Sequence, residues 1–583
     1  MAHPNKDLNE AGLVPNVSVP PSALSRGSVC WINAAVLGLL FCLLQAGSMT
    51  SLLANQAGFR WIAPLMTIGA LAAGYGLAGG EGHLGKSRYR PVVWCLAIMA
   101  AALGSAAFYY DLSWDGEWYH QTAILSIARG WNPLTEPLRP FPAPLEDWVR
   151  HYPKGPWYAA AAIFSATGHI ELGKAIDGLA FAAMASAMLG AALDAGLRRS
   201  RAWALAAVVT LNPVVLSELT TFLVDEIMFA FLVVAAAAAW TCLTARARPA
   251  VLVAGISASI ACINAKFTGL VFLCFVAAAG ALWCFVARRE KFRGFVAISA
   301  AALLAGTCVW GYNPYVTNTL YRGQPFFPVL GSARYPGTRN PEQGNEHGET
   351  PKNMVGRDRL VRFGYAIFGR PGNQPYQKGR NASLMLPFGA RLEDLYAYNY
   401  HETRVAGFGP YFSGCVLFSL AFGLWLMAAD RRRWALGLIS GAIVASLLVS
   451  PALWWPRYGP QLWLLPATPL IFVFGGGRPR GLVAAAWSLA VLLIVNAGIV
   501  GAVRFRWETR ASLRLRRQLT EMRESGQAYD VSTRYFSMSA DERLAEAGVK
   551  FRDVGDKGGK DWIELTSVVE GYPLANRYHP AAR

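Results

Sequence analysis

Long apolar runs alternate with short polar ones along most of this chain. Between residues 30 and 503, stretches of Ala, Leu, Val, Ile and Phe recur at lengths near twenty. A run of that length satisfies its backbone in lipid only as a helix. The pattern predicts spans near 30–50, 61–80, 91–110, 172–196, 203–218, 222–243, 250–264, 267–287, 294–313, 408–428, 434–452, 460–475 and 481–503. The fold class is therefore an all-α polytopic membrane protein of about thirteen transmembrane helices. Gly155 to Gly168 is too short to span and reads as a re-entrant or juxtamembrane helix.

The polar remainder falls into four pieces: a tail (1–29), two long loops (111–155 and 314–407) and a C-terminal segment (504–583). The tail lacks the short charged start and cleavage site of a signal peptide. Long ordered loops are usually functional. The C-terminal segment combines a charged, helix-like stretch (Arg510 to Ser525) with a short strand (Trp562 to Val569) and reads as a small soluble appendage.

Composition agrees with the pattern: 54% of residues are hydrophobic and only 15% charged. The net charge of +18 is not spread as nucleic-acid binding would need. It is concentrated in short clusters between apolar runs: Lys86/Arg88/Arg90, Arg198/Arg199/Arg201, Arg246/Arg248, Arg288/Arg289/Lys291/Arg293, Arg431/Arg432/Arg433 and Arg478/Arg480. With the tail in the cytoplasm, all six fall on the cytoplasmic side, as the positive-inside rule asks. Both long loops and the C-terminal segment then lie outside, the periplasmic side of a bacterial inner membrane. The nine cysteines lie within or beside apolar runs, and none has metal-ligand spacing.

Candidate chemistry gathers at outer helix ends. Asp111-Leu-Ser-Trp-Asp115-Gly-Glu117-Trp-Tyr119-His120 puts four ionisable side chains in ten residues after an apolar run. A carboxylate there can take a proton or ligate a cation; an ordinary loop or helix-cap role is its bland alternative. Lys154 and Lys266 stand at the ends of apolar segments, where a lysine snorkels or binds phosphate. Arg457, in Trp454-Trp-Pro-Arg-Tyr458, is either an interface anchor or a bidentate phosphate ligand. Asp225 and Glu226 sit where carboxylates within membrane helices tend to face a cavity. Asp111, Asp115, Glu117 and Asp225 could supply oxygen ligands to Mg or Mn, although nothing in their spacing requires a metal, and no cofactor is otherwise implied. Gln324 to Pro328, His347, Tyr396, Tyr398, Tyr400 and His401 read as loop packing.

Two elements resemble the GT-C superfamily of membrane glycosyltransferases, in the branch of protein mannosyltransferases and aminoarabinose lipid A transferases. They are Asp115-Gly116-Glu117-Trp118-Tyr119 and Lys154-Gly155-Pro156-Trp157-Tyr158. Gly116 stands where the family often has Glu, and Gly155 where Lys-Pro-Pro has its first Pro. The resemblance implies a GT-C-like bundle, a polyprenyl-phosphate-linked sugar as donor and transfer to a hydroxyl of a glycan, lipid or protein on the outer face. It makes Asp115 the base and Asp111 a supporting or capping residue. Lys154, Arg457, Tyr458, Asp225, Glu117, Tyr119, His120 and Lys266 become candidates for substrate binding. A single displacement would invert the anomeric centre. The competing readings are a ligase or polymerase of lipid-linked glycans, and a lipid or glycan transporter.

Overall fold

A computed structural model describes residues 21–581 apart from 143–144, 246, 336–349, 374–380, 430–432, 451, 477, 534–535, 556–560 and 568–575. The tail before residue 21 and His347 lie outside the described residues. The chain is helical from α1 (Pro21–Leu53) through α2 (Ile62–Gly80) and α3 (Arg90–Phe108). Three short helices, α4 (Gln121–Ala128), α5 (Glu146–His151) and α6 (Gly155–Thr167), fill the first long loop. Next come α7 (Ala175–Asp194), α8 (Arg199–Thr210), α9 (Pro213–Glu218), α10 (Asp225–Thr244), α11 (Pro249–Ala265), α12 (Phe267–Ala287) and α13 (Arg289–Leu304). The second loop carries α14 (Thr317–Arg322) and α15 (Arg359–Phe368), and α16 (Phe412–Ala429), α17 (Arg433–Leu448), α18 (Leu464–Phe474) and α19 (Arg480–Glu524) follow.

Eight stretches are long and apolar enough to cross a membrane. They are Gly27–Leu53, Phe59–Gly80, Leu84–Phe108, Ile170–Asp194, Asp225–Thr244, Phe267–Ala287, Arg289–Trp310 and Arg480–Glu524. Four further apolar helices are shorter, and the pair α8–α9, broken by Pro213 at its junction, occupies the remaining expected position. α2, α3, α12 and α13 turn large apolar residues such as Trp94, Leu103, Phe285 and Leu304 outward, as helices bounded by lipid do. The protein is an integral membrane protein with a helical body.

The polar residues sort to the two ends of the bundle. At one end Trp31 Nε1 donates to Asp194 Oδ2 (2.9 Å), Asp194 pairs with Arg248, and Ser28 donates to Glu81 (2.7 Å). Lys291 closes the α10 C-terminus by donating to the carbonyls of Cys242, Leu243 and Ala245. The described basic clusters gather here. At the other end lie the 111–120 loop, the N-terminus of α10, the α11–α12 junction and the 452–463 turn.

α6, the segment too short to span, is buried over its first nine residues against α1 and α4, and Gly168 ends it with φ +74°. Two expectations are corrected. The expected break between the last span and the charged helix does not occur. With no Gly or Pro between Ala502 and Glu524, α19 runs unbroken for 45 residues, about 68 Å. The fold is also not purely α. The C-terminal segment holds β1 (Ala528–Ser532), α20 (Ser537–Glu546), β2 (Lys550–Asp553), β3 (Ile563–Glu564) and β4 (Arg577–Pro580). They form a sheet of order β2-β1-β4-β3, with α20 crossing between the parallel pair β1 and β2. Leu515, Leu519 and Met522 of α19 pack into its core, so the rod carries this domain directly.

Candidate functional site

The 111–120 loop is built around a buried carboxylate. Asp111 is fully buried; Oδ1 accepts from the Ser113 amide (2.8 Å) and Oδ2 from the Phe222 amide (2.9 Å). Burial, resisted by Lys174, raises its pKa to about 6. Asp111 thus ties the loop to the Phe222 backbone, and it is Ser113 Oγ that accepts from the Gly116 amide (3.2 Å). Gly116 packs against Asp111: a Cβ there would come within 1.9 Å of Asp111 Oδ2. Gly155 is under similar pressure, with Asn264 O 2.9 Å from where its Cβ would be. Gly116 and Gly155 thus mark positions where this fold has no room for a side chain.

Held this way, the loop offers Asp115 to four groups brought from elsewhere in the chain. Asp115 Oδ2 accepts from Arg457 Nη2 at 2.8 Å, across 342 residues of sequence. Arg457 Nε donates to Asp225 Oδ2 at 3.1 Å, its Nη1 pairs with Glu402, and Lys266 pairs with Asp225. Lys266 Nζ also lies 4.5 Å from the centre of the Tyr458 ring. Asp225 begins α10, where the helix dipole favours a carboxylate. Burial alone would push the Arg457 pKa down, but Glu402, Asp225 and Asp115 together hold it well above its usual value. Glu402 behaves in the opposite sense: burial raises its pKa and Arg457 resists the rise. Asp115 keeps a fifth of its side chain exposed, more than Arg457, Asp225 or Lys266.

His120 borders this group. Its Nδ1 accepts from Trp157 Nε1 at 2.7 Å, which assigns the ring proton to Nε2. Burial lowers its pKa to about 3, so the ring is neutral near pH 7. Nε2 is buried without a hydrogen-bond partner, a donor ready for a ligand oxygen. Tyr119 packs its ring between Trp148, Tyr152 and Trp157. A cavity of about 10 Å³ lies behind Arg457, lined by Ser217, Glu218, His401, Glu402 and Thr403, with room for one water.

Two expected binders have other tasks. Lys154 does not join the Arg457 group. It is fully buried, donates to the carbonyls of Arg150 (2.7 Å) and Tyr152 (2.8 Å), and sits between the Trp131 and Trp157 rings. Burial pushes its pKa well below the usual lysine value. Glu117 turns away from Arg457 and pairs with Arg543 of α20 at 2.6 Å. Arg543 also binds Glu171 (2.7 Å) and the Asp111 carbonyl.

Glu402, Arg543 and the buried acids Asp177 and Glu218 were not picked out from the sequence, whereas Glu226 was, beside Asp225. Glu402 and Arg543 lie in unremarkable loop and helix surroundings, and only the fold shows their partners. Asp177 and Glu218 carried a readable signal, since each is an acid inside an apolar run. Among the described residues no set of three or more His, Cys, Asp or Glu side chains is arranged to hold a metal ion. No protein-family model matches the chain, and neither does any curated protein.

Proposed function

We propose that this protein is a membrane glycosyltransferase with a GT-C-like bundle of about thirteen spans, transferring a sugar from a polyprenyl-phosphate donor to an acceptor hydroxyl. The working face is the one bearing the 111–120 loop, assigned to the periplasmic side of a bacterial inner membrane because the basic clusters lie at the opposite end. The observation that carries this reading is the convergence of Asp115, Arg457, Asp225, Lys266 and Glu402 from five separate segments at one end of the bundle. It pairs a partly exposed carboxylate with two cations of the kind that hold a phosphate.

In the reaction, the acceptor oxygen attacks the anomeric carbon as its proton passes to Asp115. The bond from that carbon to the phosphate oxygen breaks, and its electron pair leaves with the lipid phosphate. Arg457 and Lys266 balance that charge, and His120 Nε2–H donates to a ligand oxygen. As a single displacement, this inverts the anomeric centre. Arg457 now pairs with Asp115, so an arriving phosphate that takes over the guanidinium releases the base. Donor therefore binds before acceptor. Lys154 contributes by fixing the turn before α6.

The acids Asp177, Glu218 and Glu226 favour a second reading, a proton-coupled lipid or glycan transporter, because each has a buried oxygen without a hydrogen-bond partner. Purified protein incubated with synthetic polyprenyl-phosphate sugars and a panel of glycan, lipid and peptide acceptors separates the two. Turnover with an inverted product supports the transferase. Lipid translocation in sealed vesicles, without turnover of any monophosphate donor, supports the transporter.

A further inference from the structure

The second long loop presents large apolar side chains to its surroundings although it lies beyond the helix ends. Leu386 is 80%, Leu392 84% and Tyr396 73% exposed, and Leu360, Val361 and Leu384 are close to half exposed or more. These residues are not scattered. The Met385 amide donates to the Phe368 carbonyl and the Arg370 amide to the Ser383 carbonyl (both 2.8 Å), so 383–386 lies beside the end of α15. Arg370 pairs with Asp394 at 2.7 Å, which brings the 392–399 turn to the same place. A contiguous apolar surface of this kind marks an interaction site.

Two contacts set its height relative to the membrane. Arg359, the first residue of α15, donates to the Leu448 carbonyl at the end of α17 (3.1 Å). Phe388 lies on the first turn of α16, where a Cβ on Gly414 would meet its ring at 2.2 Å. Gly414, Leu417 and Leu424 share one stripe of α16 by their spacing of three and seven, and Leu417 and Leu424 are exposed. Phe388 therefore continues a stripe that faces lipid. Around the apolar residues stand exposed Arg357, Arg359 and Arg391, and Tyr396 has the amphipathic ring favoured at a headgroup boundary.

The geometry points to a bilayer surface as the partner of this loop: residues 359–361, 384–388 and 391–396 seat in the headgroup region of the membrane the bundle crosses. Their leucines enter the acyl boundary and their arginines meet anionic headgroups. Glu402 follows six residues after Tyr396, so the seat fixes the loop that delivers Glu402 to Arg457. The inference does not depend on the transferase reading.

A photoreactive benzophenone amino acid placed singly at Leu386 and Leu392 tests it in vesicles of phosphatidylcholine and phosphatidylglycerol. Leu424 serves as the lipid-facing control and Lys550, exposed in the C-terminal domain, as the water-facing one. Both test positions are exposed, so neither substitution disturbs the core, and elution as a single folded peak confirms this before irradiation. Lipid adducts at both positions in yields matching Leu424 are expected. Adducts to a second copy or another protein, or yields no higher than at Lys550, would overturn the proposal.

Discussion

Gly116 and His120 carry the constraints of the 111–120 loop in single atoms. A methyl group at Gly116 has Asp111 Oδ2, Ser113 Oγ and Asp111 Cγ all within 2.7 Å, and two of these belong to a carboxylate already bound by two amides. Gly116→Ala is expected to lower stability by about 1–3 kcal/mol, the usual cost of overpacking, read as a fall in thermal midpoint in detergent. For His120 the sign follows from its depressed pKa. The unfolded chain takes up a proton near pH 6.5, while the folded ring resists until about pH 3. Its contribution is thus complete above pH 6.5 and is lost as pH falls toward 3. Measured against His120→Gln, wild type should lose stability progressively below pH 6.5, and a difference between the two that is flat from pH 7 to 4 would contradict the assignment.

Among the elements, α20 is the one least visible in the sequence pattern. It reaches from the C-terminal domain back to the acidic loop through Arg543, and Phe536 just before it packs on Trp114 at 5.3 Å. Arg129 pairs with Glu542, and the Ile170 amide donates to Glu546 at 2.7 Å. Removing one partner of a buried ion pair costs about 3–5 kcal/mol, so Arg543→Met should destabilise by that order and Arg543→Lys by less. A double-mutant cycle with Glu117→Gln should show coupling, and additive effects would mean that the pair does not act as one unit. Eight of the expected spans were legible, because hydrophobic length is a local property. The helix breaks were less so: α19 continues past its apolar part because helix-forming residues without Gly or Pro let it. The partners of Glu117 and Lys154 were not legible at all, since each depends on contacts that no spacing encodes.

At the scale of the whole molecule, the two ends of the bundle differ in chemistry. One gathers the basic clusters around Asp194 and Arg248; the other gathers the carboxylates around Arg457 and carries the C-terminal domain on a rigid helix. The basic clusters foretold this division, because charge segregation is written along the chain, whereas the ion pairs inside the site were visible only as candidate residues. An epitope inserted after Gly196 and another after Arg583 should therefore lie on opposite sides of the membrane. In intact cells or oriented vesicles, an impermeant label should reach one and not the other; equal labelling of both would break the alternation. In the proposed transfer Asp115 is the base, and Arg457 and Lys266 hold the leaving phosphate. The most direct test is the single-turnover transfer rate of Asp115→Asn with polyprenyl-phosphate sugar already bound. Donor binding close to wild type and a rate lower by about 10²–10⁴, the usual worth of a positioned base, are expected. A variant that transfers as fast as wild type would contradict this role.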